Sequence, residues 1–254
     1  MGQVWGSFVQ LIITALVSIN DLVGSYGLAI ILFTFLVRLI TLPLTLQQIR
    51  SSKAMQELAP QLERLRKKYS KNKDKLAREQ MKLYQEAGVN PAAGCLPMLI
   101  QMPVWIALYS ALRDMAAGDN PILKEGFLWI PSLAEPHQWP PPEPMWAYLV
   151  LPVLTVISQY VVQKMMSPST AAASDDPTQS AMNQMMLFMP LMFGFFAVQV
   201  PSGLALYWVT SNIFSLVQQY FITGWGSLIP QGVKTSEVAS ETGAKRKRKH
   251  KGKR

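Results

Sequence analysis

From Leu28 to Leu46 the chain reads LAIILFTFLVRLITLPLTL. A hydrocarbon core is crossed by about 20 apolar residues. Within lipid no water satisfies the backbone, so a segment of this kind has little choice but to be helical. One permanent cation, Arg38, stands near its middle. Four further apolar blocks follow, and with the first they give candidate spans at 27–46, 95–115, 146–165, 184–200 and 203–223. Only 15% of the 254 residues are charged, against about a quarter in a soluble domain. The fold class expected is therefore an all-α integral membrane protein with five transmembrane helices. Pro43, Pro97, Pro103, Pro152 and Pro190 lie in or beside these blocks, where neighbouring helices can satisfy the carbonyls they free.

The flanking segments divide the chain. In residues 1–24, Gln3, Ser7, Gln10, Thr14, Ser18 and Asp21 recur at helical spacing opposite Trp5, Phe8, Val9, Ile12, Leu16 and Ile19. That pattern predicts an amphipathic helix lying in the membrane interface, with an extra span as the rival reading. The core unit is 25–223. It contains a cytoplasmic helical hairpin at 47–90, where Met55, Leu58, Leu62, Leu65 and Tyr69 make an apolar seam, SKNKD makes the turn and Pro60 should kink the first arm. It also contains a Pro- and Trp-rich outer loop at 116–145, whose Trp129, Trp139 and Trp146 suit interface anchors. Residues 224–254 form a basic tail ending in KRKRKHKGKR, which is expected to be disordered.

Charge sets the orientation. Of 24 Lys and Arg residues, eleven fall in 47–91 and nine after Gly224, whereas 114–145 holds one Lys and five acids. Basic segments stay in the cytoplasm, so the N-terminus is expected outside and the C-terminus inside. A net charge of +9 so arranged also suits RNA or anionic lipid as a partner of the tail.

The inventory for bond-making chemistry is nearly empty. His137 and His250 lie in the outer loop and the tail, and there is no phosphate-binding glycine loop and no HExxH motif. Carboxylates occur only at the ends of the spans, which argues against a proton relay. No enzyme activity, metal or cofactor is expected. What remains is polar: Thr34, Arg38, Thr41 and Thr45 share a helical face, Ser158, Gln159 and Gln163 flank the third span, and Tyr207, Ser211, Ser215 and Gln218 stripe the fifth. An unpaired charge at mid-bilayer costs at least about 2.5–3.5 kcal/mol, so these stripes should enclose a wet recess around Arg38. A purely structural arginine is the competing reading. Met165, Met166, Met182, Met185, Met186, Met189 and Met192 cluster about the loop between spans three and four, where flexible thioethers suit a surface accepting many apolar shapes.

NPAAGCLPMLIQMPVWIALYSAL (90–112) resembles the second-span region of YidC-type membrane protein insertases, kin to the mitochondrial oxidase-assembly and chloroplast Albino proteins. FTFLVRLITLPLT, VVQKMMSPST and PSGLALYWVTSNIFSLVQQY resemble the family's other segments in the same order, over about 25–222. The resemblance implies an insertase of the bacterial inner membrane, acting on nascent membrane proteins alone or beside the Sec translocon, without the large outer domain of some members. It implies that Arg38 is the groove arginine, that Thr34, Trp208 and Gln163 line the same groove, and that the tail contacts ribosomes. Gln159, Tyr207 and Ser211 complete the candidate site from the polar stripes. An anion transporter using Arg38 as its substrate site is the rival function, although inverted repeats are not evident.

Overall fold

A computed structural model describes residues 2–90, 96–117, 126–134, 145–166, 177–225 and 228. The basic tail beyond 228, most of the Pro-rich loop with Trp139, and the 167–176 segment lie outside the described residues. The described chain is helical, apart from one isolated bridge between Phe127 and Ile130. Eight helices run in order: α1 (Gly2–Val23), α2 (Tyr26–Ile40), α3 (Leu42–Lys68), α4 (Lys73–Glu86), α5 (Leu96–Ala117), α6 (Met145–Met166), α7 (Pro177–Gln199) and α8 (Ser202–Thr223).

The first predicted span does not run straight. It breaks at Thr41, and α2 and α3 meet at a bend of 67°. Pro43 stands in the first turn of α3 and has no N–H to continue the ladder of α2, while its ring disfavours helical backbone at Leu42. Thr41 closes α2 by donating its hydroxyl to the Val37 carbonyl at 2.9 Å. Of the other Pro residues named from the sequence, Pro97 stands in the first turn of α5, and Pro60, Pro103, Pro152 and Pro190 lie inside unbroken helices.

By length and apolarity, α1 and the Leu149–Met166 part of α6 suffice to cross a membrane, and the bent α2–α3 pair would make a third span. Among the described residues, Phe188–Gln199 of α7 is a shorter apolar stretch, and α8 carries a polar stripe from Ser211 to Gln219.

The helices gather around a core made from the halves of α2, α5, α6 and α8 nearest the 126–134 segment. Ile30, Leu108, Leu112, Leu133, Leu151 and Leu204 are each almost fully buried there. α1 adds Val9, Ile12 and Leu16 to that core, and all six residues of its polar stripe are exposed. The outer loop contributes more than a connection. Phe127 and Ile130 exchange two backbone hydrogen bonds of 2.9 Å across a tight turn, and Leu133 accepts from the Gly203 amide at 2.9 Å. Phe127 lies over Gly27 so closely that any Cβ at 27 would overlap its ring. Trp129 packs against this core rather than standing free as an anchor, whereas Trp146 is largely exposed.

The hairpin is unevenly docked. α3 buries Ile49, Ser52, Leu58, Ala59 and Leu62, while α4 buries nothing. Asn72 caps α4 by accepting from the Lys75 amide at 3.0 Å, and Gly88, at φ +66°, ends it. Lys67 donates to Glu63 at 2.8 Å and holds that exposed carboxyl below the usual carboxylate range.

Candidate functional site

A recess of about 220 Å³ opens where α2, α3, α5, α6 and α8 converge, at the end of the bundle away from the 126–134 segment. Each element brings polar side chains by its own periodicity. Arg38 comes from the last turn of α2, and the bend at Thr41 swings Thr45 and Gln48 of α3 around beside it. Gln101 comes from α5 and Gln159 from α6, one turn before Val162 and two turns before Met166, the apolar lining residues of that helix. Asn212, Ser215 and Gln219 rise from α8 at spacings of three and four, the ridge of one helical face.

Arg38 is half-buried, and its Nε donates to Ser211 Oγ at 3.4 Å. Among the described residues no carboxylate pairs with it. The ion pairs there are Lys67–Glu63 and Lys82–Glu86, both exposed and within the hairpin helices. A second layer holds the lining in place. Gln101 Nε2 donates to the buried Tyr207 hydroxyl. Asn212 Nδ2 donates to Ser158 Oγ at 3.1 Å, and Ser158 in turn donates to the Thr155 carbonyl at 3.2 Å. The wall formed by α3 is tied to α6: Ser52 donates to the Met166 carbonyl at 3.0 Å, and Gln56 donates to both Met165 and Met166 carbonyls at 3.2 and 3.0 Å. These are carbonyls that the last turn of a helix cannot satisfy for itself.

The residues named from the sequence separate into three groups. Arg38 and Gln159 line the recess. Ser211 and Tyr207 stand one layer behind, holding Arg38 and Gln101. Thr34, Trp208 and Gln163 are outside the lining. Thr34 is fully buried and returns its hydroxyl to the Ile30 carbonyl of its own helix. Trp208 stacks on Trp105 at 5.5 Å with the planes 13° apart, and Phe193 meets it edge-on at 5.2 Å. Of the Met cluster, Met165 is buried and Met166 lines the recess, whereas the side chains of Met182, Met185 and Met186 lie outside the described residues. Gln48 and Gln219 were not singled out in the sequence. Gln219 could have been found by continuing the row Asn212–Ser215 by one more turn. Gln48 could not, because its place depends on the bend.

The model of the family described as "60Kd inner membrane protein" matches residues 18–227. The chain is similar to the chloroplast inner membrane protein ALBINO3 of Arabidopsis thaliana, 41% identical over 87% of this chain and 52% of that protein. It is similar to the membrane protein insertase YidC of Caldanaerobacter subterraneus, 41% identical over 80% of this chain and 87% of that one. A solved structure described as an active YidC insertase with its first transmembrane domain resolved matches with a TM-score of 0.64 at 32% identity, over 85% of this chain and 46% of that one. The chain thus spans about half the length of the chloroplast relatives. With a family match that runs from the end of α1 past the end of α8, the chain belongs to the 60Kd inner membrane protein family, which includes the YidC insertases and the ALBINO3 proteins.

Proposed function

We propose that this protein is a membrane protein insertase that takes nascent membrane proteins as clients. The observation that carries the reading is Arg38, a permanent cation without a carboxylate partner among the described residues, at the wall of a polar recess shared by five helices. A hydrophilic client segment entering such a recess exchanges part of its hydration for fixed polar groups and water. The lost hydration is the main barrier to its crossing. An acidic segment gains more, because the attraction to Arg38 is stronger where the dielectric is lowered. Release follows when the client's apolar helix partitions into lipid.

The proposed topology has five spans in an inner membrane, the N-terminus outside, and the recess and hairpin facing the cytoplasm. The charge asymmetry of the loops supports it. We place α1 in the outer interface. As a span it would present six polar residues to lipid along its whole length, whereas in the interface that stripe meets water. The tail is proposed to bind ribosomal RNA or anionic lipid, and the Sec translocon to be an optional partner. Counterion release makes tail binding steeply salt-dependent.

The rival function, anion transport through Arg38, makes a different demand on the same recess. Reconstitution into liposomes separates the two. Insertion of a short membrane protein without solute flux is the expected result. Anion flux without insertion would replace the insertase reading with the transporter.

A further inference from the structure

We propose that the recess recognises the main-chain peptide groups of a client's polar segment, through a set of side-chain amides. This deepens the insertase reading and rests on it. Five of the eleven lining residues are carboxamides: Gln48, Gln101, Gln159, Asn212 and Gln219, delivered by four different helices. One lining residue is charged, and none is acidic. A carboxamide offers a carbonyl acceptor and N–H donors, the same pair that a peptide group offers. An arginine offers donors only. A ligand recognised solely by its negative charge would draw on Arg38 and on amide N–H groups, and would have no use for the carbonyl half of a carboxamide. A polypeptide backbone, alternating N–H and C=O whatever its sequence, uses both halves of each amide.

Two further observations carry the point. Gln101 and Asn212 are held from behind, by Tyr207 and Ser158, so their placement is set before any client arrives. Gln219 is 2% exposed, and its Nε2 has no partner although it lines the recess. A buried amide left without a partner is costly, and it persists in a fold when something else satisfies it. Recognition of the main chain would also suit clients that differ in sequence, because every one of them carries the same backbone.

The test uses the full chain in phosphatidylethanolamine–phosphatidylglycerol liposomes and two synthetic clients with one apolar helix between them in common. One has an uncharged glycine–serine tail. The other has the same tail with every peptide nitrogen methylated. Without protein, the methylated tail should cross faster, because it has no N–H groups to desolvate. With protein, the unmethylated tail should be accelerated at least about fivefold more than the methylated one, the value of one net hydrogen bond. Gln159→Leu and Gln219→Leu should each shrink that difference, whereas Arg38→Lys should preserve it. Gln219→Leu should leave thermal stability unchanged or raised, since it removes an unpaired buried amide. If it fails to fold, Gln159→Leu, at a half-buried position, carries the comparison. Equal gains for the two tails, or no gain for either while an acidic-tailed client inserts, would overturn the proposal. Failure of the acidic-tailed client as well would instead remove the insertase reading beneath it.

Discussion

Arg38 and Gly27 are the two positions where a single side chain decides most. Arg38 donates from Nε to Ser211, and in the proposed function the rest of its guanidinium is what a client meets. Arg38→Lys retains the charge and should keep substantial insertion of acidic-tailed clients, losing what the planar fork adds. Arg38→Ala should keep the fold, because no buried ion pair is broken, while acidic-tailed clients insert at least tenfold more slowly, about 1.4 kcal/mol in the barrier. Clients with neutral tails should suffer less. An insertion assay over the two tail types, with a thermal melt of each variant, checks this. Unfolding of Arg38→Ala, or an equal loss for every client, would make Arg38 a structural residue. At Gly27 the limit is space. A methyl group there collides with the Phe127 ring, so Gly27→Ala should destabilise by about 1–3 kcal/mol and loosen the outer turn. A melt unchanged from the parent would show that Phe127 moves aside freely.

The helices that carry these residues differ in how firmly they are held. α3 is tied to the end of α6 by Ser52 and Gln56 and buries five side chains, whereas α4 buries none. In the sequence, charges and apolar residues are spread along both arms of the hairpin alike. The fold divides it. Amide exchange should be slow over 45–62 and fast over 73–86, and replacing Ser52 and Gln56 together by Ala should speed exchange in the last turn of α6. Uniformly fast exchange across 45–86 would contradict the tie. What the sequence revealed, and what it hid, follows the same division. Periodicity marked the polar faces of α6 and α8, since a row such as Ser211–Ser215 is visible at a spacing of four. It also marked α1's polar stripe, all of which is exposed. It grouped Thr45 with Arg38 on one face, and both line the recess, but it could not project Gln48, because 27–46 reads as one straight helix and the chain bends by 67° at Thr41. Nor could it tell Thr34, bonded within its own helix, from a residue lining the recess, or find the stack of Trp105 on Trp208. Those depend on contacts between segments far apart in the chain. The outer loop was legible as a loop, from its prolines, but not as part of the core through Phe127, Ile130 and Leu133.

At the scale of the whole molecule, the bundle has two unlike ends. Arg38, Gln101, Gln159 and Asn212 line the recess at one, and Ile30, Leu112, Leu133 and Leu204 fill the other. In the proposed topology, supported by the charge distribution, the wet end faces the cytoplasm. Single cysteines at 132 and at 70 read this out with an impermeant reagent on intact cells, after the natural Cys95 has been replaced. Position 132 should label and position 70 should not. Labelling at 70 would invert the topology.

That asymmetry bears on how an electrical gradient is used. A recess filled with conducting solution carries the cytoplasmic potential inward to Arg38, so the voltage across the bilayer falls mainly over the dry, outer half. Each elementary charge crossing 100 mV exchanges about 2.3 kcal/mol with that field. In a membrane negative on the inside, the sign favours outward movement of anions. An acidic tail lodged beside Arg38 would therefore have only the thin apolar layer left to cross, and the full drop would act on it there. At the dry end Leu133 is bonded to Gly203 and Phe127 lies over Gly27, so in the proposed orientation this layer should hold small ions back when no client is present. On that reading the protein would draw on the membrane potential without short-circuiting it.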